Sequence, residues 1–453
     1  MELMKRVPMK KLMTCLIAAT ALSPLGSGHA ETLNLSGAYQ KAVEYDSRYR
    51  AAQAENLVYK EEVDKAKSQF RPTVRASSSR GRNSTQHAAK GFLDPTQYYN
   101  TIGQSLTVRQ SILNLSNIAE YKQSRDVAAK SDAELQKEGL GLMVRIAEAY
   151  CNALYGEDNI EFSQAHIRSS LEQLNQAKKR YEKGFGTITE IKESQANYDM
   201  AVAEGLDIAN SAELARRELE VLTGVYPDRI CRLVPEKLTL NAPSPARVES
   251  WVELALSKNP LLSAARKDAS ISKREIEKQR AMRYPTIDLV AGRNYSVSEN
   301  NYSIGSTYDT YSIGLQLNVP IYSGGYTSAA VRQAHAKWVK AGELLNGEER
   351  AVESDVRKYY NSVIASIAQI NAYLQAMQSQ EVALTGTRKG YEAGLRSNVD
   401  VLEAEQKLLA SRRNLAKSRY QYILNFLMLR QSAGTLSSFD LDEVNGWLAA
   451  TGK

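Results

Sequence analysis

The sequence predicts an α+β fold in which one plan, a helix followed by a strand hairpin and a long helical hairpin, occurs twice along the chain. Three observations lead to this prediction: a repeated segment, two stretches of alternating polarity, and two long helical runs without proline. The segment 388–434 matches the segment 178–224 at one constant offset. The matching pairs are Tyr181 with Tyr391, Glu182 with Glu392, Gly184 with Gly394, Thr187 with Ser397, Glu190 with Asp400, Glu193 with Glu403, and Gly224 with Gly434. Each copy reads as a helix end, a glycine-containing turn and a new amphipathic helix, so the sequence predicts an internal two-fold repeat.

The first thirty residues have the composition of an export signal. A basic start is followed by an apolar run over 12–22 and by a small-residue ending, which predicts a signal peptide over 1–30 with cleavage before Glu31. The apolar run is too short for a membrane anchor. Cys15 lacks the small preceding residue that lipidation requires, because Thr14 stands there. No later stretch approaches about eighteen uninterrupted apolar residues, so no transmembrane helix is predicted.

Composition and charge exclude several functional classes. The formal net charge is +7, part of it lies in the first thirty residues, and the remaining excess is evenly spread, which argues against nucleic-acid binding. After the signal only Cys151 and Cys231 remain, too few for a disulfide framework, and whether they pair stays open. The three remaining histidines, His87, His166 and His335, stand in unrelated contexts, and no complete phosphate-binding motif occurs. The sequence therefore predicts no enzyme, no cofactor and no metal.

Each half begins with a helical segment that is followed within two residues by a proline. The first segment runs over 35–70 and the second over 251–284. Asp46 and Asn259 stand at the same distance before the two prolines, which supports the repeat. Because proline ends a helix, we expect each segment to be one helix that stops there.

Beyond each proline the pattern changes from helical spacing to alternation. Apolar and polar residues alternate over 310–319, which puts the two sets on opposite faces of a strand. The pattern predicts strand hairpins over 73–110 and 286–320. Polar segments over about 81–95 and over 299–307 are the predicted loops.

The predicted strands allow two interpretations. They could form half-buried hairpins on a soluble domain, or they could face lipid on one side and water on the other. The export signal and the alternation over about ten residues favour the second interpretation. Four strands cannot close a barrel, and an open edge in lipid leaves unpaired N–H and C=O groups that cost roughly several kcal/mol each. Strands in a membrane would therefore require several chains to share one barrel.

Two long runs predict helical hairpins over 118–224 and 326–434. Their first arms, 118–183 and 326–393, contain no proline and would extend about 100 Å at about 1.5 Å per residue, which indicates a coiled-coil-like architecture. The candidate bends within these arms are Gly139, Gly141, Gly342 and Gly347. The returning arm of the second hairpin has two adjacent apolar seams, which would let it pack on both sides as in a cylinder. The seams are Val401, Leu408, Leu415, Tyr422 and Leu429 beside Leu402, Leu409, Ala416 and Ile423.

The turns of the helical hairpins carry the candidate site residues. Asp400 and Glu403 lie on one face of the helix that follows the second turn. Acidic residues in a first turn stabilise a helix by roughly a few tenths of a kcal/mol, which is one explanation for them. Alternatively, an assembly with a three-fold axis would bring these carboxylates and Glu190 into a ring that attracts cations and filters permeants. Tyr391 and Arg396 flank the turn and could bond to neighbouring helices.

The order of elements and the second turn resemble the TolC family of outer-membrane channel-tunnels. The resemblance covers essentially the whole mature chain, and its most specific motifs are 393–394, 398–402 and 433–436. It implies a homotrimer in the outer membrane of a Gram-negative bacterium, in which each chain gives four strands to one twelve-stranded barrel that continues into a long periplasmic helical barrel. It also implies passive conduction of drugs, toxic compounds or secreted proteins to the cell exterior. An inner-membrane RND or ABC transporter and a periplasmic adaptor would deliver these substrates.

The resemblance also assigns roles to single residues. Tyr391, Arg396, Asp400 and Glu403 match the periplasmic constriction of the family, and Glu190 matches an acidic partner in the first turn. Glu403 and Glu190 stand where the family usually has aspartate, which changes the geometry of the ring. The glycines of the hairpin turns are Gly184, Gly186 and Gly394.

The predicted domains follow the repeat. The list comprises the signal peptide 1–30, the first repeat 31–225, an equatorial linker 226–245, the second repeat 246–436 and a tail 437–453. The alternative function is an exported trimeric coiled-coil adhesin or a structural envelope protein with a barrel anchor. That alternative predicts one long stalk and a binding head, whereas the predicted helices fold back on themselves twice.

Overall fold

The computed structural model describes residues 33–86, 88–89, 91–93, 95–299 and 305–449. The predicted signal peptide, His87 and most of the predicted loop over 299–307 lie outside the described residues. The helices and strands in chain order are α1 Leu35–Tyr45, α2 Ser47–Ser68, β1 Thr73–Thr85, β2 Ala88–Ala89, β3 Phe92–Leu93, β4 Gln97–Leu113, α3 Leu115–Glu182, α4 Ile188–Thr223, β5 Arg232–Leu233, α5 Val248–Lys258, α6 Pro260–Ala281, β6 Thr286–Ser298, β7 Ser306–Asn318, α7 Tyr326–Glu392, α8 Asn398–Ser432, α9 Ser438–Gly446 and β8 Leu448–Ala449.

The first helical segment of each half is divided into two helices, so the prediction of one continuous helix was wrong. Asp46 separates α1 from α2, and Asn259 separates α5 from α6. Both residues have extended ψ angles, 116° and 122°, and their side chains accept hydrogen bonds from the N–H groups of Tyr49 and Leu261. This is N-cap geometry, in which a short polar side chain starts a new helix. Pro260 contributes to the second break because proline disfavours helical backbone in the residue before it.

One antiparallel sheet joins the strand hairpins of both halves. Its strand order is β1-β4-β6-β7, and β4 pairs with β6 across the two halves. Within the described residues, β1 and β7 each have a strand partner on one side only. The sheet therefore ends in two open edges.

The strands extend further into polar sequence than predicted. Residues 81–85 belong to β1, although the alternation had placed a loop from about Gly81, and β7 already begins at Ser306. Backbone pairing continues there because ladder hydrogen bonds need no apolar side chains. At the other end, β4 continues to Leu113 through a register irregularity near Ser111.

Long helical hairpins form the rest of the structure. Helix α3 has 68 residues and α7 has 67, and the candidate bends at glycines interrupt neither helix. At about 1.5 Å per residue each is about 100 Å long. Helix α4 returns along α3 and α8 along α7, while α8 also packs on α3. Helix α6 packs against both α3 and α7, which ties the two halves together.

The main hydrophobic core contains side chains from α3, α7 and α8 together with the short α1, α5 and α9. The fully buried Tyr150 hydroxyl lies 3.0 Å from the Leu33 carbonyl oxygen and accepts a 3.0 Å hydrogen bond from the Cys231 N–H. Strand β5 pairs with β8, so the segment between the two halves is bound to the C-terminal segment. Cys151 and Cys231 are both buried free thiols, which answers the open question of their pairing. No described helix is both long enough and apolar enough to span a membrane.

Candidate functional site at the helical hairpin turns

The two helical hairpins end in turns of the same construction. Gly184 and Gly394 each have φ 76°, a left-handed conformation that side chains of L-residues rarely adopt. The Gly184 N–H donates to the Tyr181 carbonyl at 2.9 Å, and the Gly394 N–H donates to the Tyr391 carbonyl at 3.0 Å. A Cβ atom on Gly186 would lie 2.9 Å from the Tyr181 backbone nitrogen. The predicted turn glycines are therefore required by backbone geometry at all three positions.

The acidic residues that follow the turns are N-terminal capping residues. Glu190 with Thr187, and Asp400 with Ser397, each form a reciprocal capping box. The Asp400 carboxylate accepts hydrogen bonds from the Ser397 N–H at 2.8 Å and from the Ser397 hydroxyl at 2.9 Å. These bonds, followed by the charge of Arg396, hold the pKa of Asp400 below its usual value. Asp400 is therefore ionised at neutral pH and already has a structural role within one chain.

Glu403 has a different partner from Asp400. Its exposed carboxylate lies 3.5 Å from the Lys407 ammonium group on the same helix. Arg396 is exposed and forms no side-chain hydrogen bond or ion pair with any described residue, although its chain passes close to Gly390. One chain therefore does not gather these charges into a cluster. Within the described ranges, no group of three or more His, Cys, Asp and Glu side chains could hold a metal ion.

Tyr391 connects the second hairpin to the first. The Arg180 guanidinium, at the end of α3, lies over the Tyr391 ring at 4.6 Å from its centroid, a cation–π contact. Burial raises the pKa of the Tyr391 hydroxyl, nearby Glu190 raises it further, and the charge of Arg180 lowers it. The structure thus brings Tyr391 and Glu190 together, with Arg180 as a partner that sequence reasoning did not identify.

Sequence reasoning also did not identify two buried polar contacts between the hairpins. Asn398 donates a 3.1 Å hydrogen bond to Ser194, and both side chains are buried. Glu405, only 6% exposed, accepts a 2.8 Å hydrogen bond from the Ser169 hydroxyl of α3 and forms an ion pair with Arg388 of α7. One signal could have identified Glu405, because it lies on the apolar stripe of α8 where a charged residue is unusual.

Further links connect the hairpins away from the turns. Arg413 of α8 binds Glu204 of α4 at 2.6 Å, and the Tyr420 hydroxyl donates to Asp158 of α3 at 2.7 Å. Burial raises the pKa of Asp158, whereas the hydrogen bond from Tyr420 lowers it. Helix α8 is thus bound to the first hairpin at several levels.

The chain is similar to known outer-membrane proteins over nearly its whole length. A family model described as outer membrane efflux protein matches residues 38–225 and 251–435. The alkaline protease secretion protein AprF of Pseudomonas aeruginosa is 34% identical over 443 residues, which cover 96% of this chain and 91% of AprF. The outer membrane protein TolC of Vibrio cholerae is 32% identical over 449 residues, which cover 98% of this chain and 100% of TolC.

A solved structure has the same fold. The outer membrane protein VceC from Vibrio cholerae superposes with a TM-score of 0.74 at 23% identity, covering 88% of this chain and 96% of VceC. The resemblance seen in the turn motifs is therefore confirmed by full-length similarity. On these grounds, the chain belongs to the outer membrane efflux protein family, and it is similar to TolC of Vibrio cholerae and to AprF over nearly their whole length.

Proposed function

We propose that this chain is an outer-membrane channel through which substrates pass from an inner-membrane transporter and a periplasmic adaptor to the cell exterior. The observation that carries this proposal is a four-stranded sheet with two open edges, attached to helical hairpins about 100 Å long. Family membership supports it, because the relatives are outer-membrane efflux and secretion proteins. Nothing among these relatives supports the adhesin alternative.

The open sheet edges account for the proposed trimer. In lipid, the unpaired backbone groups of β1 and β7 would each cost roughly several kcal/mol, so each edge must meet a strand of another chain. β1 and β7 run in opposite directions, and β1 of one chain could therefore continue an antiparallel ladder with β7 of the next. Three copies would close a barrel of twelve strands, and the helical hairpins would continue it as a periplasmic tunnel.

The hairpin turns are the proposed gate of this tunnel. Around a three-fold axis, Asp400 and Glu403 of each chain would form an acidic ring near Glu190. Such a ring favours cations and repels anions. The links of Tyr391 to α3 and of Asn398 to α4 would hold the second hairpin in the closed position. Opening then requires a partner that separates the hairpins.

The two sequence repeats and the linker are the proposed domains. The repeats are 31–225 and 246–436, with the linker 226–245 between them and the tail 437–453 after them. The two family-model matches lie within the repeats, which supports this division. We propose that an RND or ABC transporter supplies the energy, because the sequence contains no complete nucleotide-binding motif. The similarity to a protease secretion protein favours secreted proteins as one class of cargo.

Planar-bilayer recording of the purified protein tests the proposal. We expect a small, cation-selective conductance. Tyr391→Ala with Asn398→Ala removes the two links to the first hairpin and should increase the conductance, and Asp400→Ala with Glu403→Ala should remove the cation selectivity. A purified protein that stays monomeric in detergent and never conducts would contradict the channel function.

A further inference from the structure

The four-stranded sheet has two chemically different faces. Residues opposite each other in an antiparallel ladder share a face, so the ladder register assigns each strand residue. The face here called the apolar face includes Val74, Ala76, Ile102, Leu106, Val108, Ile287, Leu289, Ala291, Tyr295, Val297, Tyr311, Ile313, Leu315 and Leu317. This face also carries the charged residues Arg80, Arg82, Arg293 and Asp309, of which Arg293 and Asp309 pair with each other at 2.8 Å. The opposite face, here called the polar face, is rich in serine and threonine.

Many side chains on the polar face are small. The glycines of β1, β4, β6 and β7 all lie on it, and they are Gly81, Gly103, Gly292 and Gly314. Small side chains leave room on this face for a long side chain to extend away from the sheet. Such a wall suits a water-filled interior, whereas the apolar face suits lipid.

Three charged strand residues lie on the polar face, and two of them neutralise each other. Arg109 forms an ion pair with Asp288, which is only 7% exposed. The third, Arg75, is exposed, and its side chain forms no hydrogen bond or ion pair with any described residue. Along the ladders, Arg75 lies opposite Thr107, which lies opposite Gly292, so small residues flank it. The wall formed by these strands therefore carries one uncompensated positive charge per chain.

Arg75 lies at the end of the sheet that adjoins the helices. It is the third residue of β1, which follows directly after α2 and Pro72. The Arg109–Asp288 pair lies at the same end, where β4 runs into α3 and β6 follows α6. The charge of Arg75 therefore lies where the sheet meets the helical hairpins. The acidic turns lie at the opposite end of these hairpins.

We propose that Arg75 forms a basic ring at the junction of barrel and tunnel, and that this ring favours anions in the conduction path. The inference rests on the proposed trimeric channel, in which the polar face lines the interior. The charge of the Arg75 ring is opposite in sign to that of the acidic ring at the hairpin turns. The channel therefore has two charge filters in series, and the barrel end by itself selects for anionic solutes or anionic surfaces of a secreted chain.

The test measures the ratio of chloride to potassium permeability in planar bilayers. The background variant carries Asp400→Ala with Glu403→Ala, so that the acidic ring does not dominate the selectivity. We expect Arg75→Gln to lower the ratio about twofold to threefold in roughly 0.1 M salt. At about 7 Å from the charge, with a screening length of about 10 Å, chloride is stabilised and potassium destabilised by about half of RT each, and the ratio reflects the sum of the two. Arg75→Lys should retain the ratio. At about 1 M salt the difference should shrink, because the screening length falls to about 3 Å.

Arg80 provides a matched control on the same strand. It is exposed like Arg75 but lies on the apolar face, opposite Ile102. We expect Arg80→Gln to leave the permeability ratio unchanged. An unchanged ratio in Arg75→Gln, or equal changes in Arg75→Gln and Arg80→Gln, would overturn the inference while the channel function stands. A background protein that never conducts would instead contradict the proposed function.

A chemical experiment provides an independent readout. In Arg75→Cys, a cationic methanethiosulfonate reagent should restore the chloride preference and an anionic one should reverse it. The native thiols Cys151 and Cys231 are buried, so the unmodified background should respond little. Arg80→Cys should show no change in selectivity with either reagent. Equal responses of Arg75→Cys to the cationic and the anionic reagent would refute a charge filter at this position.

Discussion

Removing Arg388 should destabilise the junction between the helical hairpins more than removing its partner Glu405. The Glu405 side chain is 6% exposed, whereas that of Arg388 is 48% exposed. In Arg388→Ala, the carboxylate stays buried and keeps only the hydrogen bond from Ser169. In Glu405→Ala, the half-exposed Arg388 guanidinium can reorient toward solvent and be hydrated. The order of the two effects therefore depends on which charge is left without a partner inside the protein.

The expected magnitudes follow from these exposures. Breaking a buried ion pair by removing one partner costs about 3–5 kcal/mol. Because Arg388 is half exposed and water screens it, we expect Arg388→Ala to lower the free energy of unfolding by about 2–3 kcal/mol. The second oxygen of Glu405 has no hydrogen-bond partner among the described residues, so its ionised form is incompletely satisfied. We therefore expect Glu405→Ala to cost only about 1–2 kcal/mol.

Urea unfolding of the detergent-solubilised protein measures these free energies. The double variant should lose less than the sum of the single variants, by about 1–2 kcal/mol, because the second change removes a charge that the first has stranded. The exposed pair Arg412–Glu381 is the control: its groups lie 3.2 Å apart with side chains 39% and 55% exposed, and its coupling should stay below about 1 kcal/mol. A larger loss for Glu405→Ala than for Arg388→Ala, or strict additivity, would refute the reasoning.

Three further predictions concern the turns. Gly394→Ala forces a side chain into a φ of 76° and should cost about 1–2 kcal/mol, whereas Gly347→Ala, with open space around it in α7, should be neutral or stabilise by up to about 1 kcal/mol; urea unfolding compares the two. The capping serine lowers the pKa of Asp400, so the cap stabilises the turn above the unfolded carboxylate pKa and is lost as pH falls through the lower folded pKa. Asp400→Asn should lack this acid dependence. Hydrogen exchange of the turn amides, measured as a function of pH in the native protein and in Asp400→Asn, would refute the prediction if the two proteins respond alike. Tyr391→Phe keeps the ring under Arg180 and should change the free energy of unfolding by less than about 0.5 kcal/mol, while Tyr391→Ala should cost more than about 1 kcal/mol; equal losses would show that the ring contact contributes nothing.

Structural features that depend only on residues adjacent in the chain could be predicted from the sequence. The positive φ angles at Gly184 and Gly394 and the capping boxes beside them involve residues that are neighbours along the chain. The alternation over 310–319 likewise specifies the two faces of β7 without knowledge of its partner. Asp46 and Asn259 carried a local N-cap signal as well. Helical spacing on both sides of each residue concealed it, because an N-cap changes the backbone of one residue and leaves the flanking periodicity nearly intact.

The sequence by itself thus determined the two long helical hairpins, the two strand hairpins, the turn glycines and the family. Only the tertiary structure decided that β4 pairs with β6, that Arg180 covers Tyr391, and that Glu405 binds Arg388. It also decided that Arg75 lies opposite Thr107, which lies opposite Gly292. The physical reason is the same in each case: hydrophobic period specifies which side of an element is buried, but the partner on that side is selected by packing between segments far apart in the chain.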